Sequence, residues 1–273
     1  MSVLTEDIII QAILPHLPID KRGKKLPTSK WSGIVQLIFY RRKTGCQWRE
    51  LPIKQFLDHP YSWQSVFHHL NRWSKLGAWQ SVWEHPLRTH PRLLDLSSVQ
   101  LDGTHTLSKQ GGQAVGYQSR KSSNTSNMRC ISDRNGVLLA ASQPEKGNHH
   151  DSFQAQVHFK ELMEMLTNAT ISTDGLFLNA DAGFDTKAFR SLCYQHNIIP
   201  NFCFNKRNGK THDREDYFDP ELYKHRTVIE RAFAWMDAYK ALLIRFETSA
   251  RNWFNLNLLG FIARFSKKLN KQC

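Results

Sequence analysis

With 273 residues and a mass of 31.8 kDa, the chain has material for one sizeable core, or for a smaller core with a helical appendage. Its 40% apolar and 22% charged content is ordinary for a soluble globular protein, and no stretch approaches the roughly 20 consecutive apolar residues of a membrane span, so no membrane partner is expected. Lys and Arg number 37 against 24 Asp and Glu, and the net charge of +13 is the usual footprint of polyanion binding, with nucleic acid as the leading partner. The excess is shared along the chain, with 14 basic and 7 acidic side chains in residues 1–95 and 23 against 17 in the remainder. The opening MSVLTEDIII puts acids before a short apolar run and has no basic leader or small-residue cleavage site, which points to a cytoplasmic product. Five scattered cysteines without a Cys-x2-Cys pair argue against both a disulfide framework and a structural zinc site.

Apolar positions recur at helical spacing over residues 5–14, 29–43 and 63–75. Pro27 and Thr28 open the second stretch and Gly45 follows it; Ser62 is a candidate N-cap for the third, which stops at Gly77. Both of these helices end basic, the second with Arg41, Arg42 and Lys43, the third with Arg72 and Lys75 near Trp63, Phe67 and Trp73. Basic ends suit the helix dipole and aromatics suit a core, while the same residues also suit a DNA-contacting surface. From residue 97 the texture changes. SSVQLDGTHTL alternates like a strand, and NMRCISD, Arg134-Asn135-Gly136 and VLLAAS form a predicted hairpin. A helix capped by Asp151 or Ser152 and running to about Leu166, the strand GLFLNAD, the helix TKAFRSLCYQHN and the strand IIPNFCF follow. After a polar loop, Asp219 and Pro220 open a helix predicted to reach about Lys240, and an amphipathic stretch from Trp253 to Leu269 closes the chain. A strand meander followed by alternating helices and strands implies an α/β fold in which helices flank a mixed sheet. That order matches the ribonuclease H-like fold, here preceded by a small all-helical domain. The expected division is residues 1–95 and 96–273.

Phosphodiester cleavage needs an activated nucleophile and a stabilised leaving oxygen, which two magnesium ions can supply if the protein gathers several carboxylates. Asp102 lies within the first strand and Asp181 at the end of a later one, so both can reach one sheet edge. Tyr223, Arg226 and Glu230 are spaced by three and four and share one helix face. The same spacing equally fits an intrahelical Arg226–Glu230 ion pair on a solvated face. Asp174 and Asp185 are rivals to Asp181, the first at a turn before Gly175 and the second at a helix start. His149, His150 and Asp151 lack an evident third metal ligand, and His105 lies off the face that Asp102, Thr104 and Thr106 share.

The motifs TGCQWRELP (Thr44 to Pro52), SVFHHLNRWSKLGAW (Ser65 to Trp79), LDGTH with Asp102, NADAGFD with Asp181, and Tyr223-x2-Arg226-x3-Glu230 continuing as ERAFAWMDAYKALLIRFE carry a resemblance over essentially the whole chain. The sequence resembles the DDE transposases of bacterial insertion sequences of the insertion sequence 5 family, related to the insertion sequence 4 superfamily. Spacings of 79 residues between the aspartates and 49 from Asp181 to Glu230 suit a member without a long insertion before the glutamate. Asp237 stands where the family signature has a lysine, and Ala182 and Phe184 stand where many relatives have lysine and tyrosine.

The resemblance implies a transposase that binds the terminal inverted repeats of its element and performs metal-dependent cleavage and strand transfer into target double-stranded DNA. It further implies Asp102, Asp181 and Glu230 as catalytic and metal-binding residues for two Mg2+ ions, with Mn2+ able to substitute. A homodimer or higher assembly on the bacterial nucleoid goes with this. The DNA-contacting candidates are Arg120 and Lys121 in a Gly- and Ser-rich loop, Tyr223 and Arg226 beside the acids, and Arg41, Arg42, Lys43 and Arg72 in the helical leader. The competing reading is a catalytically silent DNA-binding protein derived from a transposase.

Overall fold

The computed structural model describes residues 4–19, 26–58, 60–149, 153–206 and 216–269. The chain packs as two units that interleave along the sequence. The first comprises residues 1–86, 108–113 and 236–273, the second residues 87–107 and 114–235. These units do not follow the expected division at residues 95 and 96, because the C-terminal segment packs with the N-terminal one.

The first unit is helical. Three helices lie near the N-terminus, α1 (Thr28–Thr44), α2 (Trp63–Lys75) and α3 (Ala78–Thr89). Helix α1 follows extended Pro27 and ends at Gly45, whose φ of 67° allows its N–H to close on the Arg41 carbonyl at 2.8 Å. Ser62 caps α2 as expected, its Oγ accepting from the Ser65 N–H at 3.2 Å. The stretch predicted as a helix over residues 5–14 is instead a turn of α-helix, a π-helical segment (Ile9–Ile13) and a 3-10 turn ending at His16. Pro15 within that last turn prevents regular continuation. Helix α3 was not anticipated: its Trp79, Val82, Trp83 and Leu87 are buried at helical spacing, but Pro86 in its last turn reads as a stop. Trp31, Trp73, Trp79 and Phe39 form a chain of ring contacts between 5.5 and 6.4 Å, and Trp83 meets Phe261 and Phe265 of the C-terminal helix (Ala250–Leu269). Trp73 is therefore core and not a surface aromatic. Helix α1 and the C-terminal helix are buried on nearly every side, which is why neither shows a clear two-faced pattern.

This burial corrects two expected DNA contacts. Arg42 is fully enclosed with its guanidinium stacked 3.6 Å over the Tyr239 ring, and Arg41 is 6% exposed. Neither can meet a phosphate in this fold. Burial pulls the Arg42 guanidinium down to about 10, with Tyr239 acting against it. Lys43, one residue on, is exposed and remains available to DNA.

The second unit is built on a twisted mixed sheet. Its strands are β1 (Val99–Ser108), β2 (Gly116–Gln118), β3 (Ser123–Asp133), β4 (Leu138–Ala141), β5 (Glu145–Lys146), β6 (Phe177–Ala180) and β7 (Ile199–Phe202). They run in the order β2-β3-β1-β6-β7, with β4 and β5 also pairing along β3. β1 and β3 are antiparallel, whereas β1, β6 and β7 are mutually parallel. Three antiparallel strands followed by two parallel ones is the ribonuclease H-like arrangement. The hairpin from β3 to β4 turns where Asn135 and Gly136 lie, with Gly136 at φ 82° and Asp133 Oδ1 accepting from the Asn135 and Val137 N–H groups. Helices α4 (Ala155–Asn168) and α5 (Lys187–Gln195) cover the sheet through Phe159, Leu162, Phe189 and Cys193. The cap proposed for α4 at Asp151 or Ser152 lies outside the described residues.

The helix predicted over residues 220–240 is segmented. Pro220–Tyr223 is one α-helical turn, Lys224–Thr227 tightens to 3-10, and α6 (Val228–Asp237) is regular again. It breaks where Tyr239 turns extended and lays its ring over Arg42.

Replacing Arg42 with Met would keep a flexible apolar side chain against Tyr239 and remove a buried charge. We expect unchanged or higher thermal stability, because a buried cation is commonly replaced by a well-packed apolar side chain without loss. The salt slope of DNA binding should also stay unchanged, since losing a true phosphate contact would lower it by about 1. Denaturation and binding titrations at several salt concentrations check both outcomes.

Candidate active site

Two aspartates meet through the register of parallel strands. Val99 lies opposite Leu178 and Gln100 opposite Asn179, an offset of 79 that Asp102 and Asp181 share. Both acids therefore fall on one face of the sheet, two residues beyond the Gln100–Asn179 pair, because side chains alternate with period two. Asp102 is inside β1 and pairs in the ladder with Cys130 of β3. Its Oδ1 accepts from the Gly103 N–H at 2.8 Å. Asp181 immediately follows β6 and caps a 3-10 turn, its Oδ1 accepting from the Gly183 N–H at 2.8 Å. Burial, and secondarily the charge of Asp102, pushes the Cys130 thiol well above its usual range, so this cysteine is an inert wall of the site.

The third acid arrives on the segmented helix. Arg226 Nη1 donates to Asp102 Oδ2 at 3.3 Å and Nη2 donates to Glu230 Oε1 at 3.0 Å. Asp102 and Glu230, 128 residues apart, thus contact the two arms of one guanidinium. The Arg226–Glu230 ion pair that the spacing allows does form, with Glu230 exposed, and the same arginine also reaches Asp102 on β1. Partial burial pulls the Arg226 guanidinium down, yet Asp102, Tyr223, Glu230 and Asp181 together hold it above its ordinary value. Burial raises the Tyr223 phenol while Arg226 opposes that shift, and the Tyr223 ring packs on Phe218 with centroids 5.3 Å apart.

Beneath the carboxylates lies a layer of buried amides that sequence analysis leaves unremarked. Asn179 Nδ2 donates to Gln100 Oε1 at 2.8 Å and to the Leu222 carbonyl at 3.1 Å. Asn201 Nδ2 donates to Asn179 Oδ1 at 2.7 Å and to the Asp219 carbonyl at 3.0 Å, while Asn201 Oδ1 accepts from the Asp219 N–H at 2.7 Å. The available signal was spacing: Gln100-x-Asp102 and Asn179-x-Asp181 each put an amide on the face of an acid.

The rivals to Asp181 have other duties. Asp185 is fully buried, paired with Arg190 Nε at 2.8 Å and accepting from the Asn205 N–H, while Thr186 takes the helix-capping role. Asp174 is exposed in its turn. His105 contacts Thr125 and Gln118 across the neighbouring strands. His149 stacks on Phe153, and His150 and Asp151 lie outside the described residues. Arg120 is exposed, and Lys121 Nζ donates to the His105 carbonyl at 3.1 Å, which anchors this basic loop to β1. Arg72 is half-buried in the first unit. Phe184 is buried against Phe189, so it acts in the core at a position where relatives carry tyrosine.

The donor set suits a hard divalent cation, being carboxylate oxygen throughout. Among the described residues, however, no three His, Cys, Asp or Glu side chains stand close enough to hold an ion as they are. Arg226 instead holds Asp102 and Glu230 on its two arms.

Family comparison agrees with the fold read from the strand order. A model for the transposase DDE domain matches residues 89–265, and a model for transposases of the IS4/5 family matches residues 8–83. The chain belongs to the DDE-domain transposases. Within them, it is of the IS4/5 type. No curated protein matches it. Among solved structures it is similar to a pre-cleavage Mos1 transpososome (13% identity, TM-score 0.30, 90% of this chain and 80% of that one covered). It is likewise similar to a Mos1 transposase paired-end complex with left transposon end (13%, 0.29, 90% and 80%) and to a Mos1 strand transfer complex (12%, 0.28, 90% and 79%). At such TM-scores these likenesses carry no argument, and the fold assignment rests on topology and family. No helix among the described residues is long and apolar enough to cross a membrane.

If Arg226 competes with cations for the acids, Arg226→Ala should bind Mn2+ roughly fivefold more tightly, the equivalent of about 1 kcal/mol for a part-exposed ion pair. Manganese titration followed by electron paramagnetic resonance measures this, and unchanged affinity would show that the guanidinium does not compete.

Proposed function

We propose that this transposase cuts and joins DNA through Asp102, Asp181 and Glu230, using two magnesium ions for which manganese can substitute. The bridging of Asp102 and Glu230 by Arg226 is the observation that supports the assignment best. It brings the helix acid to the strand acid without help from neighbouring sequence. The substrates in this reading are the terminal inverted repeats of the element and a double-stranded target, handled by a homodimer or larger assembly in the bacterial cytoplasm.

Magnesium held by these carboxylates would activate the attacking oxygen and stabilise the leaving one. The chain's own residues arrange the rest. Asp102 and Asp181 are each fixed by a backbone N–H on one oxygen, which orients the carboxylate before any cation arrives. Arg226 compensates the charges of Asp102 and Glu230, and were a cation held by these acids its guanidinium would be placed to hold a phosphate of the bound strand. Tyr223 stacks or hydrogen-bonds at the same place. Arg120 and Lys121, on the loop anchored to β1, grip phosphates flanking the scissile bond, and Lys43 and Arg72 serve the helical leader. Residues 1–95 act in end binding and assembly, and residues 96–273 carry the chemistry.

Asp102→Asn, Asp181→Asn and Glu230→Gln each remove a charge at nearly constant volume. We expect each to abolish cleavage of labelled element ends in magnesium while end binding persists in gel shift. Magnesium-dependent cleavage retained by one variant would remove that residue from the set. A wild-type protein that binds ends but performs neither cleavage nor strand transfer would favour the silent DNA-binding alternative.

The affinity for DNA should fall linearly with the logarithm of salt concentration, with a slope of about −0.9 for each phosphate neutralised. A folded 1–95 fragment without preference for element ends over random DNA would reassign the leader to packing or dimerisation.

A further inference from the structure

We propose that Gln100, Asn179 and Asn201 form a positioning ladder that sets where the Glu230 helix stands over Asp102 and Asp181. The inference rests on the reading of those three acids as the catalytic set. The ladder crosses β1, β6 and β7 on the sheet face of the two aspartates, one side-chain step deeper. All three amides are fully buried, and the deepest end is closed by Gln100 Nε2 donating to Ser98 Oγ at 3.2 Å.

The hydrogen-bond inventory is complete where it matters. Both N–H bonds of Asn179 are used, one on Gln100 and one on the Leu222 carbonyl, and its oxygen accepts from Asn201. Both N–H bonds of Asn201 are used too, on Asn179 and on the Asp219 carbonyl, and its oxygen takes the Asp219 N–H. A buried network whose two asparagines are fully satisfied has one preferred geometry, because any shift leaves a polar group unpaired in a low dielectric. The backbone it clasps is the start of the segment that carries Tyr223, Arg226 and Glu230. Asp219 then caps that segment, its Oδ1 accepting from the Glu221 and Leu222 N–H groups at 2.8 and 3.0 Å. Sheet and helix are thereby joined through three bonds within four residues of Tyr223.

The chemical consequence concerns the cation. Asp102 and Asp181 are set by strand register alone, but Glu230 depends on the placement of a helix that follows residues outside the described part of the chain. A helix free to drift would present its carboxylate at varying distance and weaken cation binding before it weakened folding of the sheet. The ladder residues act through Glu230 and touch neither cation nor DNA.

The test has two arms. In the wild-type protein, hydrogen exchange should show the Asp219 amide protected to a degree comparable with the β6 amides, and Asn201→Ala should lower that protection at least about a hundredfold. In cleavage assays, folded Asn201→Ala or Asn179→Leu should bind element ends like wild type but require at least about tenfold more magnesium for half-maximal rate, with much of the rate regained at saturating magnesium. A variant that melts earlier yet needs no extra magnesium overturns the proposal, leaving the amides a structural role only. Rapid exchange of the Asp219 amide in wild type overturns it also, with no variant required. If neither variant folds, that exchange measurement decides alone. Should wild type fail to cleave under conditions where ends are bound, the carboxylate assignment fails, while the exchange arm still reports whether the ladder clasps the helix.

Discussion

Asp102 and Glu230 come together on the single positive charge of Arg226. At 4 Å, two like unit charges repel by about 1 kcal/mol in bulk water and by several-fold more near a protein surface, and the same pressure raises their pKa values. Arg226 answers this constraint from within the chain. It contacts Asp102 and Glu230 directly and feels Asp181 at longer range, and all three acids raise its own proton affinity against the pull of burial. The arrangement explains why the site can be assembled and still hold no closed cluster of metal ligands. The guanidinium is the placeholder around which the acids are organised, and an arginine serves here better than a lysine because its fork reaches two carboxylates at once.

The two aspartates depend on a different kind of constraint. Parallel pairing of β1 with β6 fixes an offset of 79 residues, and the alternation of side chains turns that offset into a common face. A slip of one residue in either strand would send one aspartate to the opposite side of the sheet. The long β3 holds β1 from its other edge over nine consecutive pairs, from Val99 with Asp133 to Leu107 with Thr125, which makes such a slip expensive.

Legibility in the sequence follows the same division. The common face of Asp102 and Asp181 was legible because alternation and local motif place them on and just after parallel strands, and the fold order was legible because strands and helices announce themselves by period and by turn residues such as Asn135 and Gly136. Helices buried on nearly every side could not be oriented. In α1 the basic end was open to two readings, and only the burial of Arg41 and Arg42 against the interior decides between them. Helix α3 stayed hidden because Pro86 carries a stop signal that a last helical turn nevertheless tolerates. The segmented course of residues 220–243 was invisible for a similar reason, since its tightening and its break depend on partners far away in sequence, Asn179 at one end and Arg42 at the other. The amide layer was legible in principle, at Gln100 and Asn179, but Asn201 carries no local mark that ties it to them.

The choice of amides for that layer is itself informative. An ion pair placed there would orient the helix as firmly, but it would add fixed charges within two residues of Asp102 and Asp181 and shift the proton and cation affinity of both. Asparagine and glutamine supply donors and acceptors without net charge, so the geometry of the third acid can be set independently of the electrostatics of the first two. Charge is thus confined to one layer, where Arg226 balances Asp102 and Glu230, and uncharged amides fill the layer below. In the proposed mechanism such a separation would let a cation take the place of Arg226 without shifting the helix.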